Sequence, residues 1–487
     1  MCGRAFNAFP WTVRLAHERV TCMNHNKTDF AYQLVYRYLL RLINEHHTGP
    51  AVRLPSLRLL ARRLRVSIST VQSAYSLLEK EGRICSVPKS GYYALPSPCH
   101  DVPCEGDDLL GRYHASARRP DMFVFGADEP TLLQSLDGPL LNLERELMRQ
   151  YPCQPDPRFQ PFGDIELRTA LAARYTCSTQ HCWHPDNVFV GPDKTGILKT
   201  VLEALQLAGS AVLVESPCGW SILRTLQAFN IRVVEIAAGA DGHMDLDRLQ
   251  DVLLTEDIKL AILSSQLDPV RGQIQGDGHR QTLAGLLNSH RLWVLENDSH
   301  SELCFEPTHG RLRDLIDPER LLIIGTFDRL IGLEAPFGYL LSRHSRDMWH
   351  QQFLLRSFRL PFIRQKAIAR LCSGGQLDSH LQLLRRALAL RMQNLGAMVE
   401  HFLGEEVSFD KPQGGATIWL HSMHRVDMAR VFERLLERRI VVAPGELFSV
   451  RGLHQQHLRI SGTADWTQDI ESMLVIIKNA LLQERLP

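Results

Sequence analysis

Six short apolar runs cross the middle of the chain, at 187–190, 211–215, 232–236, 260–264, 292–295 and 321–324. Helical patterns, such as 196–207 and 221–229, lie between several of them. A strand that is apolar along its whole length is buried on both faces, and helices between such strands return the chain to the same sheet. This alternation constrains the fold to the α/β class with a mainly parallel sheet, whose ligands gather at the carboxyl ends of the strands. From about residue 360 the pattern becomes helical and then α+β, which predicts a smaller C-terminal subdomain. At 487 residues the chain is too long for one ordinary domain.

The region before the alternation is built differently. Phe30, Leu34, Val35, Tyr38, Leu39 and Ile43 fall at helical spacing. Ser56 stands where it can cap a short helix over 57–64, a tight turn follows at 65–67, and a second helix is predicted over 69–81, ended by Gly82. Residues 83–94 read as a two-stranded wing turning at Lys89-Ser90-Gly91. Two helices joined by a tight turn make a helix-turn-helix, with Ser67, Ser69, Thr70, Gln72 and Ser73 at the start of its second helix. Between residues 50 and 100, Arg53, Arg58, Arg62, Arg63, Arg65, Lys80, Arg83 and Lys89 are opposed among the helix and wing residues by Glu79 and Glu81. The net charge of the whole chain is only +1, so nucleic-acid binding has to come from this local patch.

Composition narrows the setting. No apolar run approaches transmembrane length, and 11 scattered cysteines fit a reducing cytoplasm better than a disulfide framework. Residues 1–23 are either an arm or an over-long start ahead of Met23. Residues 96–120, rich in proline, acids and small residues, are expected to be an exposed linker between a 24–95 head and a 121–487 body. The clusters Cys99, His100, Cys104 and Cys177, His181, Cys182, His184 lack paired Cys-x-x-Cys spacing, and no metal is assigned to them.

The head resembles the winged helix of the GntR family on Arg58, Val66-Ser67, Thr70-Val71 and Gly91. The resemblance implies double-stranded DNA as partner, with Arg53, Arg58, Ser67, Ser69, Thr70, Gln72, Ser73, Lys89, Ser90 and Gly91 as the candidate contact residues. Ile68 stands where the family often has an arginine, and Lys89 replaces the first wing glycine.

The body resembles fold-type I aminotransferases. The resemblance runs through Phe162-Gly163-Asp164, Leu167-Arg168, Gly191-Pro192-Asp193-Lys194-Thr195, Glu215-Ser216-Pro217, Ala443 to Phe448 and Leu458-Arg459-Ile460. It implies a pocket that in the family holds pyridoxal phosphate. The cofactor-lysine loop aligns with Gly325 to Tyr339, and the lysine position is Arg329, whose guanidinium has no free amine to attack an aldehyde. Asn297 takes the place of the carboxylate that pairs with the ring nitrogen, and Ser299 that of the tyrosine beside the ring oxygen. Asp268 aligns with the asparagine before the proline of the family's Asn-Pro element, Pro336 with the phosphate-binding arginine, and Asp328 with a serine beside the phosphate. Gly219 falls at the ring-stacking aromatic, next to Trp220. Arg459 is retained, either as a carboxylate clamp or as a structural ion pair.

Head and body together resemble MocR-type regulators. The resemblance implies a homodimeric DNA-binding transcription regulator without a covalently held cofactor, whose body senses a small molecule such as an amino acid. Asp268 and Asp328 would meet the ammonium of that ligand and Arg459 its carboxylate. The alternatives are an aminotransferase-like enzyme or a pyridoxal-phosphate-responsive regulator using another lysine or non-covalent cofactor, and a body that only dimerises.

Overall fold

The computed structural model describes residues 31–45, 53–87, 90–94, 108–151, 160–179, 181–239, 242–306 and 310–486. The expected arm at 1–23 and the wing residue Lys89 lie outside the described residues. The chain divides into two compact units, Met1–Pro103 and Cys104–Pro487.

In the first unit, α1 (Ala31–Glu45), α2 (Leu57–Leu64) and α3 (Ile68–Lys80) precede an antiparallel hairpin of β1 (Ile84–Val87) and β2 (Gly91–Ala94). Val35, Leu39 and Ile43 of α1 close a core with Leu60, Val71, Tyr75 and Leu78, whereas Leu34 and Tyr38 of the same periodic set are exposed. Ser56 Oγ accepts the Leu59 amide at 3.3 Å, as a cap should. Ser67 Oγ accepts the Thr70 amide at 3.0 Å, so Ser67 is the cap of α3 and the helix starts one residue before its expected position. Gly82 takes φ +68°, and the Arg83 amide bonds back to the Leu78 carbonyl at 3.0 Å, closing α3.

In the second unit, α4 (Leu109–Ala117) forms within the stretch expected as linker over 96–120, of which 96–107 lie outside the described residues. Asp108 caps α4, and its one fully buried residue, Tyr113, packs on Trp220 with ring centroids 5.2 Å apart. A helix anchored by one aromatic shows no apolar period. Next come β3 (Phe123–Val124), α5 (Asp137–Gln150), α6 (Ile165–Tyr175), β4 (Val188–Gly191), α7 (Lys194–Ala204), β5 (Ala211–Ser216), α8 (Trp220–Ala228), β6 (Arg232–Ala237), α9 (Leu246–Thr255), β7 (Ile258–Ser264), α10 (Asp277–Ser289), β8 (Trp293–Asn297), β9 (Leu321–Thr326) and β10 (Gly338–Ser342).

The seven-stranded sheet runs β4-β10-β9-β8-β7-β5-β6, with β10 antiparallel to both neighbours and the pairs from β9 to β6 parallel. The two-residue alternation along each strand sorts its apolar side chains onto two faces. Leu213, Ala261 and Ile323 enter the core on one face, and Val212, Val214, Ile262 and Ile324 that on the other. The sheet is therefore buried on both faces, as its uniformly apolar strands require.

After α11 (Arg346–Arg356), α12 (Phe362–Ser373) and α13 (Gln376–Leu403), the chain forms β11 (Val407–Ser408), β12 (Thr417–Ser422), α14 (Met428–Glu437), β13 (Ile440–Val441), β14 (Ala443–Pro444), β15 (His457–Ser461) and α15 (Ile470–Gln483). An antiparallel sheet β11-β12-β15-β14 forms the smaller subdomain, and β3 pairs with β13, so the start of the body is tied into its end. This closure brings Asp128 and Arg459, 331 positions apart, to the same cavity.

Candidate functional site: a basic head and a body cavity

On the head, the turn at Arg65 is left-handed, φ 54°, and lets α3 leave α2 at the angle a helix-turn-helix needs. Arg58, Arg62, Arg63 and Arg65 are exposed, as are Ser67, Ser69, Gln72 and Ser73, while Thr70 is half-buried. Ser67, Ser69 and Thr70 share a hydroxyl cluster, with Ser67 Oγ 2.8 Å from Ser69 Oγ and 2.7 Å from Thr70 Oγ1. The Ser73 hydroxyl donates to the Ser69 carbonyl at 3.0 Å. Gln72 is the long polar side chain on this face that is exposed. In the wing, Ser90 Oγ lies 2.6 Å from the Tyr93 hydroxyl, and Gly91 takes φ +122° beside the Arg53 side chain. The two acids do not face α2: Glu81 accepts the Tyr36 hydroxyl at 2.6 Å and stands 3.8 Å from Arg83, and Glu79 accepts the Ser86 amide at 3.1 Å. The arginines of α2 therefore face outward with their charge uncompensated by these acids, a surface suited to phosphates.

The body holds a cavity of about 800 Å³. It sits beyond the carboxyl ends of β8 and β9 and the start of α8, against the smaller subdomain. Among its lining residues are Asp128, Lys194, Trp220, Asn297, His300, Arg329 and Arg459. Arg459 is 4% exposed and packs over the rings of Trp220 (4.9 Å to its centroid) and Phe448 (4.8 Å), which themselves touch with centroids 5.2 Å apart. Its Nη2 donates to the Gly126 carbonyl at 2.8 Å, yet its buried Nε has no partner. Burial pulls its pKa down, although a guanidinium stays charged at neutral pH. No ion pair to Arg459 forms among the described residues, which argues against the structural ion pair and leaves a buried cation open to a carboxylate.

Arg329 donates to the Asp128 carbonyl through Nη1, and its Nε stands 3.9 Å from Asp328. Asp128 also accepts from or pairs with His300 Nε2 at 3.1 Å. Burial opposes its charge, but His300, Arg329 and Arg459 outweigh that and hold the carboxyl well below the usual carboxylate range. Asn297 lines the cavity, its Oδ1 accepting the Ser299 hydroxyl at 2.8 Å.

Several aligned positions do not meet there. Asp268 is consumed internally: Oδ1 accepts the amides of Val270 and Arg271 at 2.8 and 3.0 Å, and Oδ2 takes Arg271 Nε at 2.5 Å. Arg271 continues to Glu215 at 3.1 Å, whose carboxyl is pushed up to about 7 by burial and by the charge of Asp268. Asp268 is thus not available to an ammonium. Ser299 is buried away from the cavity, and Pro336 is exposed outside its lining. Asp328 accepts the Thr326 hydroxyl at 2.7 Å. Trp220, not Gly219, supplies the aromatic face, although both line the wall. Asp128, His300 and Tyr113 enter from segments without any motif signal, and Lys194 enters from the start of α7.

The comparisons agree with both parts. The model of the bacterial regulatory proteins of the gntR family matches residues 31–93. The chain joins a gntR-family head to an aminotransferase-fold body. It is 27% identical to the uncharacterized HTH-type transcriptional regulator YdcR of Escherichia coli, over 93% of this chain and 99% of that one. It is 25% identical to the 2-aminoadipate transaminase of Thermus thermophilus, over 57% of this chain and 70% of that one. Among solved structures, the kynurenine aminotransferase of Pyrococcus horikoshii superposes with a TM-score of 0.69 at 18% identity, covering 78% of this chain and 95% of that one. At that identity the likeness speaks for the fold alone. This head-plus-body order is that of MocR-type regulators. Among the described residues no helix is long and apolar enough to cross a membrane.

Proposed function

We propose that the chain is a DNA-binding transcription regulator whose body senses a small carboxylate and does not run transamination. The observation that carries the first part is the exposed row Arg58, Arg62, Arg63 and Arg65 beside the hydroxyl cluster that opens α3. In this geometry α3 enters the major groove, Gln72 reaches base edges, and the arginines hold the phosphates on either side. The relatives named as HTH-type regulators match over nearly the whole chain, which favours the same role. Pairing of two copies, which the family resemblance implies, would present two heads to two half-sites on the duplex.

The residues of the cavity do not fit pyridoxal phosphate as the resemblance would have it. The Schiff-base position is a guanidinium tied to Asp128, the ring-nitrogen partner is a neutral amide, and Pro336 offers no phosphate contact. What remains is Arg459, a buried cation over a pair of rings with an unpartnered Nε, which suits the carboxylate of a small effector.

Selection from genomic fragments with the purified full-length chain tests the role. The wild type should enrich discrete sites with paired half-sites, and the triple variant R58A/R62A/R63A should not. Equal recovery of the same fragments by both proteins would remove the head as the reader of DNA.

A further inference from the structure

Lys194 is the first residue of α7, directly after the cap Asp193, whose Oδ1 accepts the Gly196 amide at 2.7 Å. Its side chain lines the same cavity as Arg459 and makes no hydrogen bond or ion pair among the described residues. An ammonium at a helix N-terminus meets the positive end of the helix dipole, which disfavours its charge. Burial acts in the same direction, and the nearby guanidinium of Arg329 adds to it; the carboxylates of Asp328 and Asp128 and the Cys218 thiol act oppositely but more weakly. The amine is therefore held below its ordinary value, and a desolvated lysine beside another cation is the usual way an amine becomes a nucleophile near neutral pH.

We propose that Lys194 captures the carbonyl group of a small oxo acid, whose carboxylate rests on Arg459. The ε-amine adds to the C=O carbon, and loss of one water leaves a C=N bond to Nζ. No oxidant or further reactant is needed, and the step reverses by hydrolysis. Effector binding would then be covalent and reversible, on a lysine from the phosphate-loop region and not from the 325–339 loop. This rests on the reading of the cavity as a carboxylate site.

Glyoxylate with cyanoborohydride on the full-length protein, followed by intact mass and peptide mapping, decides the matter. Reductive trapping should place one adduct on Lys194, labelled faster at pH 7 than the exposed Lys259 and Lys411, since a lowered pKa leaves more of the amine free. K194R, which keeps a cation but loses the nucleophile, should melt like the wild type and lose that adduct. R459Q should label the same peptide but need about tenfold more glyoxylate, the loss of one charge-assisted contact. Labelling no faster at Lys194 than at Lys259 and Lys411 would overturn the proposal. A Lys194 adduct with unchanged glyoxylate dependence in R459Q would retain the capture step but remove the carboxylate site on which its ligand class rests.

Discussion

The head and the body treat their charged residues in opposite ways. On the head, the acids near the arginines are turned to Tyr36 and Ser86, so the guanidinium groups of α2 are left facing outward. In the body, most of the charges at aligned cofactor positions are satisfied by other protein groups. Asp268 is capped by two amides and paired with Arg271, and Arg313 binds both Glu296 (2.7 Å) and Asp298 (2.6 Å) beneath the floor of the cavity. The difference teaches that a charge at a family position says little until its internal partners are known. A buried cation with no carboxylate bonded to it marks where a ligand is still wanted; in the cavity these are Arg459, whose Nε has no partner, and Lys194.

Breaking the closed network of the body should have the largest effect. Arg313→Ala leaves the buried Glu296 without a cation and Asp298 with Arg311 alone (3.1 Å), which should destabilise the protein by about 3–5 kcal/mol in urea unfolding. A loss under about 1 kcal/mol would mean that the body is no more internally paired than the head.

Acid should expose the same closure more gently. His454, 2.9 Å from Ser216 Oγ, is held at about 4 by burial and by the charge of Arg271. Its folded value lies below that of the unfolded chain, so its contribution is full above about pH 6.5 and is lost as pH falls toward 4. The loss is on the order of 3 kcal/mol by pH 4. The urea midpoint should drop over that window, and His454→Gln should flatten the drop. An unchanged acid slope in the variant would show that His454 is not the group that titrates.

The open surface of the head gives a functional effect of similar size. R58A/R62A/R63A should weaken duplex binding roughly a hundredfold at low salt while leaving the melting temperature nearly unchanged, because surface charges add little to folding. The smallest effect sharpens the local geometry: Ser67→Ala removes the cap of α3 and should cost about 1 kcal/mol of head stability, read by unfolding followed in the full chain.

Much of this was legible because the relevant signals are local. The six parallel-sheet strands showed as apolar runs, and Ser56 and Gly82 marked helix ends as their chemistry demands. The antiparallel β10 was hidden because Gly338 and Tyr339 read as the end of the lysine loop. Its Tyr339 ring lies over Gly325, where a Cβ would come within 2.3 Å, a contact between two ends of that loop that no local pattern announces. The pairing of Arg271 with both Asp268 and Glu215 joins two strand ends, and the packing of Arg459 over Trp220 and Phe448 joins three segments. Such partners are set by tertiary closure and not by spacing. The aligned positions were readable one by one; which of them meet was not.

The outward arginines of the head are placed to neutralise DNA phosphates. Fluorescence anisotropy of a labelled duplex with the full-length protein, repeated across salt concentrations, tests it most directly. Log K should fall linearly with log salt at a slope of about −3 or steeper, and R58A/R62A/R63A should make it shallower by about 3. A flat response, or the same slope in both proteins, would contradict it.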